Sequence, residues 1–325
     1  MKAVAYSVRS DERAFFEREA ERLGLEIELL EQPFSTKTVH YAVGADGISI
    51  VGTPVGRAEC MALSKVGVGL LSTRTVGFDH IDLEAAREFS IEVRNVSYSP
   101  HSVAEYAIML MLMAVRKMEM ITERYRVQDF SLRNIRGREL RSCTVGVVGT
   151  GRIGRCVLEL LKSFGCRTLC YDLYPAKEVE GYVDLDTLFK ECDVLTFHTP
   201  LNESSYHLVN EESLNKMKPG VVLVNTARGG LIDTAALIRA LEEGKVGAAA
   251  LDVLESEGGL YHADHKEEVL RDHEMAVLRA CPNVILTPHT AFFTDQAVFD
   301  MCSISLQSIA EYASAHARKP RKKSR

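Results

Sequence analysis

Three short stretches of the chain carry side chains suited to one kind of chemistry. Val224-Asn-Thr226-Ala227-Arg228-Gly-Gly supplies an arginine, Ala250-Leu-Asp252-Val-Leu-Glu-Ser-Glu257 supplies acids, and Thr287-Pro-His289-Thr-Ala-Phe292 supplies a histidine. An arginine fork grips a carboxylate in two places and polarises a neighbouring carbonyl. A histidine titrating near neutrality gives or takes a hydroxyl proton, and a glutamate beside it favours the imidazolium and fixes its orientation. Taken singly, each has an ordinary structural explanation. Arg228 before two glycines suits a helix-capping loop, Glu257 a solvated acid, and His289 after proline a satisfied loop histidine.

What brings them together is Thr144-Val-Gly-Val-Val-Gly149-Thr-Gly151-Arg152-Ile153-Gly154, an apolar strand that runs into a glycine-rich turn and then a helix. Gly149 permits the tight turn, Gly151 lets a pyrophosphate approach the backbone, and Gly154 lets the helix pack on the strand; the phosphates then meet the positive helix N-terminus. Asp172 closes the next strand, 18 positions after the last glycine. There it would accept hydrogen bonds from the adenosine ribose and repel a 2′-phosphate, favouring NAD over NADP. The Arg228, Glu257 and His289 segments sit at or just past later strand ends of the same unit, where an open α/β sheet binds ligands. Together they make chemical sense beside a nicotinamide.

The elements that must position these residues read as two βα series. Residues 2–6, 26–30, 47–51, 68–72 and 91–93 read as strands with helices at 11–23 and 82–89, an alternation that implies a parallel, doubly wound sheet. Pro100 opens a long apolar helical stretch to about Val127, of a kind usually buried between layers or domains. A second series follows, with strands at 144–148, 168–171, 194–198, 221–225, 248–251 and 284–286, one six-strand nucleotide-binding unit. The helical stretch after Thr294 is expected to return and pack on the first domain. The fold class is therefore α/β in two domains: a Rossmann-type doubly wound parallel sheet at residues 101–293 for NAD, and a smaller flavodoxin-like α/β substrate domain from residues 1–100 and 294–325.

Composition bounds the rest. With 325 residues, 46% of them hydrophobic, the chain buries a substantial core. Its net charge of −6 argues against a protein built to bind nucleic acid. Six of the 39 basic residues fall between Arg318 and Arg325, leaving 33 against 45 acidic side chains in residues 1–317, so the body is acidic and the tail reads as a solvated basic end. The longest uncharged apolar run, residues 106–115, is about half the ~20 residues a bilayer span needs. The first residues carry no export signal, and eight cysteines without a Cys-x-x-Cys pair read as reduced core thiols, so a cytoplasmic location is expected. His262, His265 and His273 with Asp264 and Asp272 read as a solvated polar face, with no metal site expected. The methionines at 109, 111, 113, 118 and 120 read as filling an interdomain core.

The combined pattern of Gly149-x-Gly-x-x-Gly154, Asn225-Thr-Ala-Arg228-Gly, Leu251-Asp-Val-Leu-Glu and Thr287-Pro-His289 resembles the D-isomer-specific 2-hydroxyacid dehydrogenases across essentially the whole chain. Ser72-Thr-Arg-Thr-Val76-Gly77-Phe-Asp-His-Ile-Asp82 and Arg94-Asn-Val-Ser-Tyr98-Ser-Pro100 resemble the D-lactate dehydrogenase branch, which includes the vancomycin-resistance, D-hydroxyisocaproate and phenyllactate enzymes. The resemblance implies NAD-dependent reduction of a 2-keto acid, pyruvate foremost, to the D-2-hydroxy acid. It implies that Arg228 binds and polarises the substrate, that Glu257 pairs with His289, and that His289 donates the proton. Backbone N–H groups near Val76 and Gly77 would hold the substrate carboxylate, with Tyr98 reaching it and Val51 and Phe292 lining the pocket. Gly149, Gly151, Arg152, Ile153, Gly154, Asp172, Thr199, Pro200, Thr226, Ala227 and Asp252 occupy positions that touch the dinucleotide in the family. Where some lactate-specific members place a bulky aromatic after the third strand, this chain has Val51, which implies room for larger 2-keto acids. A homodimer through the helix from Pro100 is also implied, and a dinucleotide-sensing corepressor that shares the fold is the alternative in another class.

Overall fold

All strands in the structure pair in parallel, so each must be followed by a crossover that returns over a face of its sheet. The computed structural model describes residues 1–316; the tail from Arg318, read above as a solvated end, lies outside the described residues. The chain divides into two units: Met1–Ser99 with the chain from Phe293 onward (unit 1), and Pro100–Phe292 (unit 2).

Unit 1 alternates β1 (Lys2–Ala5), α1 (Ser10–Leu23), β2 (Glu26–Leu29), β3 (Gly47–Ile50), α2 (Arg57–Lys65), β4 (Leu70–Thr73), α3 (Leu83–Glu88) and β5 (Glu92–Asn95). The strand order β2-β1-β3-β4-β5 is the flavodoxin-like order, with its reversal between β1 and β3. Helix α2 is an element the sequence reading left out. It buries only Cys60 and Leu63, too weak an apolar stripe to stand out, and it is started by the Glu59 carboxylate accepting from the Gly56 N–H. The final helix, α11 (Asp295–His316), packs on α1, β3 and β4, as expected for the returning stretch. Ser305 on α11 is fully buried, with its hydroxyl 2.7 Å from Ser49 and 2.9 Å from Ser72, and Ile309 lies so close to Gly47 that a Cβ there would sit 3.1 Å from it.

Just past β4, unit 1 buries an ion pair. Arg74 and Glu12 are both fully buried, with Arg74 Nε 3.2 Å from Glu12 Oε1. The other guanidinium nitrogens donate to Ser49 Oγ and to the Tyr6 and Ser7 carbonyls, and the group lies 5.2 Å over the Phe16 ring. Burial lowers the Arg74 pKa, with Glu12 opposing that shift.

Unit 2 begins with α4 (Pro100–Val115) and α5 (Met118–Arg126). The expected single helix to about Val127 is broken here. Arg138 N–H takes the Val115 carbonyl at 2.9 Å, Lys117 stands at φ 58°, and its ammonium donates to Asn134 O. The crossing chain comes so near that a Cβ on Gly137 would lie 2.7 Å from Val115 O. The interdomain-core reading of the methionines also needs correction: Met111 is fully buried against unit 2's own core, whereas Met109 and Met118 are 40% and 38% exposed.

The series then runs β6 (Thr144–Val148), α6 (Arg152–Phe164), β7 (Arg167–Tyr171), α7 (Leu185–Glu191), β8 (Val194–Phe197), α8 (Glu211–Lys216), β9 (Val221–Asn225), α9 (Thr234–Glu242), β10 (Val246–Leu251), α10 (His273–Ala280) and β11 (Val284–Leu286). The sheet order is β11-β10-β9-β8-β6-β7, and beyond β7 the segment around Tyr182 adds an isolated parallel bridge to Cys170. Counting that bridge as a shrunken third strand, unit 2 has the dinucleotide-binding order 3-2-1-4-5-6 with one further edge strand. Among the described residues no helix is long and apolar enough to cross a membrane, and no cluster of three or more His, Cys, Asp or Glu is placed to hold a metal ion.

Candidate active site

The glycine-rich turn joins β6 to α6. Gly149 stands at φ +91°, and a Cβ on it would meet the His198 carbonyl carbon at 2.6 Å, so this turn admits only glycine. A Cβ on Gly154 would lie 1.9 Å from Gly149 O, which is the close helix-to-turn packing expected of it. At Gly151, the N-cap of α6, a Cβ would meet nothing within 4 Å, leaving open space over a helix end with no acidic residue in its first turn. That end is a ready anion site. Beside the turn, burial pushes the His198 imidazole down to about 3, leaving it neutral and 2.9 Å from Thr196 Oγ1. Among the described residues one buried side-chain polar atom has no partner, Thr226 Oγ1, just past β9.

The other strand ends hold the catalytic candidates. Beyond β9, Asn225 clamps the next turn at both ends: its Oδ1 accepts from Ala227 N–H at 3.0 Å and its Nδ2 donates to Arg228 O at 2.8 Å. Arg228 is half-buried, with Nη1 donating to the Ala227 carbonyl. The following Gly229 is welded to the loop beyond β10, since a Cβ would lie 2.0 Å from the Leu254 carbonyl carbon. A second tie joins the same loops: Glu255 sits 2.7 Å from the His207 ring while accepting from Thr234 N–H and Oγ1.

Glu257 Oε2 accepts from Leu254 N–H at 3.0 Å, and Oε1 lies 2.8 Å from His289 Nδ1. A carboxylate only accepts, so Nδ1 carries the hydrogen and the imidazole presents Nε2 to a reactant. His289 stands at φ 52°, a left-handed conformation unusual outside glycine. The fully buried Asp252 holds it there: its carbonyl accepts from His289 N–H, Oδ1 accepts from Thr287 Oγ1 and Thr290 N–H, and Oδ2 accepts from Ala291 N–H. His262 also belongs here, with Nε2 3.0 Å from His289 O and its ring 6.2 Å from Phe292, whereas His265 turns to Glu268 and Leu260. Tyr261, half-buried near Glu257, has its hydroxyl pushed up to about 12, chiefly by desolvation, and stays protonated.

The profile of the "D-isomer specific 2-hydroxyacid dehydrogenase, NAD binding domain" matches residues 108–291. The chain belongs to this family. Its relatives include the aromatic 2-oxoacid reductase of Clostridium sporogenes, 42% identical over 96% of both chains. The D-lactate dehydrogenase of Escherichia coli strain K12 is 38% identical over 95% of this chain and 96% of its own. The solved structure of D-2-hydroxyisocaproate dehydrogenase superposes with a TM-score of 0.87 at 34% identity, covering 99% of this chain and 98% of that one.

This D-2-hydroxyacid dehydrogenase is thus an oxidoreductase whose cofactor is NAD. The open space at Gly151, the unpartnered Thr226 hydroxyl and the acid-free start of α6 suit that dinucleotide. Relatives named as enzymes do not favour the corepressor alternative. Arg152 is exposed and Ile153 half-buried on the first turn of α6; Thr199 and Pro200 follow β8, where Ser205 Oγ donates to Pro200 O. The remaining expected substrate residues all belong to unit 1 and lie past its strand ends: Val51 after β3, Val76 and Gly77 after β4, Tyr98 after β5. Asn95 Nδ2 donates to Val76 O and Thr75 Oγ1 to Gly77 O, so this loop is tied by its carbonyls. The ties made by Asn225, Gly229, His207 and Glu255 were missed in the sequence; the doubled glycine after Arg228 was the one visible signal.

Proposed function

We propose that the protein reduces pyruvate to D-lactate with NADH, and also accepts larger 2-keto acids such as 2-ketobutyrate, 2-ketoisocaproate and phenylpyruvate. The observation that carries this reading is the Glu257–His289 pair, 2.8 Å apart, with the His289 loop braced by Asp252. NADH, when bound, supplies the hydride. Arg228 grips the substrate carboxylate and stabilises the negative charge developing on the carbonyl oxygen, and His289 Nε2 delivers the proton to that oxygen. Glu257 keeps the Nδ1 hydrogen in place and balances the imidazolium before transfer. The Val76 and Gly77 N–H groups take the carboxylate, Tyr98 reaches it, and Val51 and Phe292 bound the side-chain pocket. The dinucleotide is held by the glycine turn, Asp172, Thr199, Thr226 and Ala227. A homodimer through α4, where Met109 is 40% exposed, belongs to the same reading.

Breadth of substrate rests on Val51, because filling space that an aromatic would occupy is worth about 0.8 kcal/mol per buried CH₂. NADH oxidation against a panel of 2-keto acids, with the product's hand determined, tests both parts. Turnover of pyruvate and at least one bulkier acid is expected, with Val51→Tyr shifting preference toward pyruvate. No turnover on any 2-keto acid sinks the reading, and pyruvate-only activity unmoved by Val51→Tyr removes Val51 from the pocket.

A further inference from the structure

Tyr182 has no part in the reaction as described, yet it ends a directed chain of hydroxyls. It comes from the one-residue bridge on the outer edge of β7, held by Cys170 N–H to Gly181 O and Val183 N–H to Cys170 O. Its hydroxyl lies 2.6 Å from Thr150 Oγ1 and accepts from Ala176 N–H at 2.9 Å. Thr150, inside the glycine-rich turn and only 4% exposed, places Oγ1 3.0 Å from Asp172 Oδ2. The proton directions follow from what each group offers. The carboxylate only accepts, so Thr150 donates to Asp172. The single hydroxyl proton of Thr150 is then used, so Tyr182 must donate to Thr150.

Two amides complete the hold on the carboxylate: Thr150 N–H donates to Oδ2 at 2.6 Å and Tyr174 N–H to Oδ1 at 2.8 Å. Of the roughly four acceptor positions on a carboxylate, one on Oδ1 is left for a ribose hydroxyl.

We propose that Tyr182 is a positioning residue for cofactor choice, orienting Thr150 and, through it, fixing the Asp172 carboxylate in the placement that discriminates NADH from NADPH. Asp172 acts as a fixed negative charge with one free acceptor position, and the shrunken third strand exists in this fold to bring Tyr182 to it. The relay acts on the nucleotide through Asp172 alone, which separates it from a merely structural contact.

Direct binding of NADH and of NADPH to the full-length protein, followed by calorimetry without keto acid, tests the relay. Tyr182→Phe is expected to weaken NADH about fivefold, the size of one net hydrogen bond, while NADPH stays within about twofold. In an Asp172→Ala background the same substitution is expected to change neither nucleotide, because its route to the ligand is gone. Thr150→Val is expected to copy Tyr182→Phe, and Thr150→Ser to restore NADH binding, which keeps the question decidable if Tyr182→Phe does not fold. Equal weakening of both nucleotides, unchanged NADH binding, or a loss that persists in the Asp172→Ala background would overturn the proposal.

Discussion

At the strand ends of unit 2, loops are fixed by backbone close approach and by side chains accepting from several amides: Gly149 against His198, Gly229 against Leu254, Asp252 under the His289 loop. At the corresponding end of unit 1, the chain leaves β4 through Arg74, buried with Glu12 and bonded to Ser49 of β3 and to the Tyr6 and Ser7 carbonyls just past β1. The first design distributes the task over many small contacts. The second concentrates it in one buried carboxylate, Glu12, and the cations paired with it, Arg74 and Arg9, which are strongly held only while the charges balance. Errors in unit 2 should therefore fall on chemistry, and errors around Arg74 on the stability of unit 1.

The sharpest way to break that contrast is His289→Ala. Turnover should fall about 10²–10⁴-fold, the range for a lost general acid, while NADH binding and the unfolding midpoint stay near normal. Retained turnover would remove His289 from the chemistry. Next in size, Arg74→Ala leaves the buried Glu12 with only the half-buried Arg9, 3.5 Å away, as counter-charge and should cost up to about 3–5 kcal/mol in denaturant unfolding; Arg74→Met with Glu12→Gln should recover much of that. A cost no larger than the ~0.5 kcal/mol of a surface change would show that the pair is not what holds this end of unit 1.

The smallest effect concerns the neutral His198. Its folded-state pKa, about 3, lies below the ordinary 6.5, so the unfolded chain takes up the proton first as pH falls. Stability from this group is full above about 6.5 and is lost progressively toward 3, at up to about 1.4 kcal/mol per pH unit. Between pH 7.5 and 5 the parent should lose about 1–2 kcal/mol more than His198→Asn. Parallel pH profiles for the two proteins would contradict the neutral state of His198.

Unit 2's strands were the most legible part of the sequence, and 144–148, 221–225 and 284–286 match β6, β9 and β11 residue for residue. Strands covered on both faces read as unbroken apolar runs bounded by turn residues. The break at Arg116–Lys117 was not legible, because neither glycine nor proline marks it. The helix ends there because a segment more than twenty positions later claims its carbonyl. Arg74 stayed invisible for a related reason. Nothing in Ser72-Thr-Arg-Thr says that the arginine points inward, and its partner Glu12 lies 62 positions away on α1. Of the site, the side chains meant to touch substrate and cofactor stood in short glycine-marked stretches. Of those that brace them, Asn225 bonds only two and three positions along the chain, whereas Tyr182 and Glu255 take partners that only the tertiary structure supplies.

The return of α11 to the first sheet also bears on how the protein is made. Ser305, Leu306 and Ile309 cover a face of β3 and β4, yet they leave the ribosome only after the whole of unit 2. At about 5–20 residues per second the intervening stretch takes on the order of 10–40 s to synthesise. For that interval the nascent first sheet lacks one of its walls while the nucleotide-binding unit is already complete in sequence, so the two halves of the enzyme mature in the reverse of the order in which they are begun.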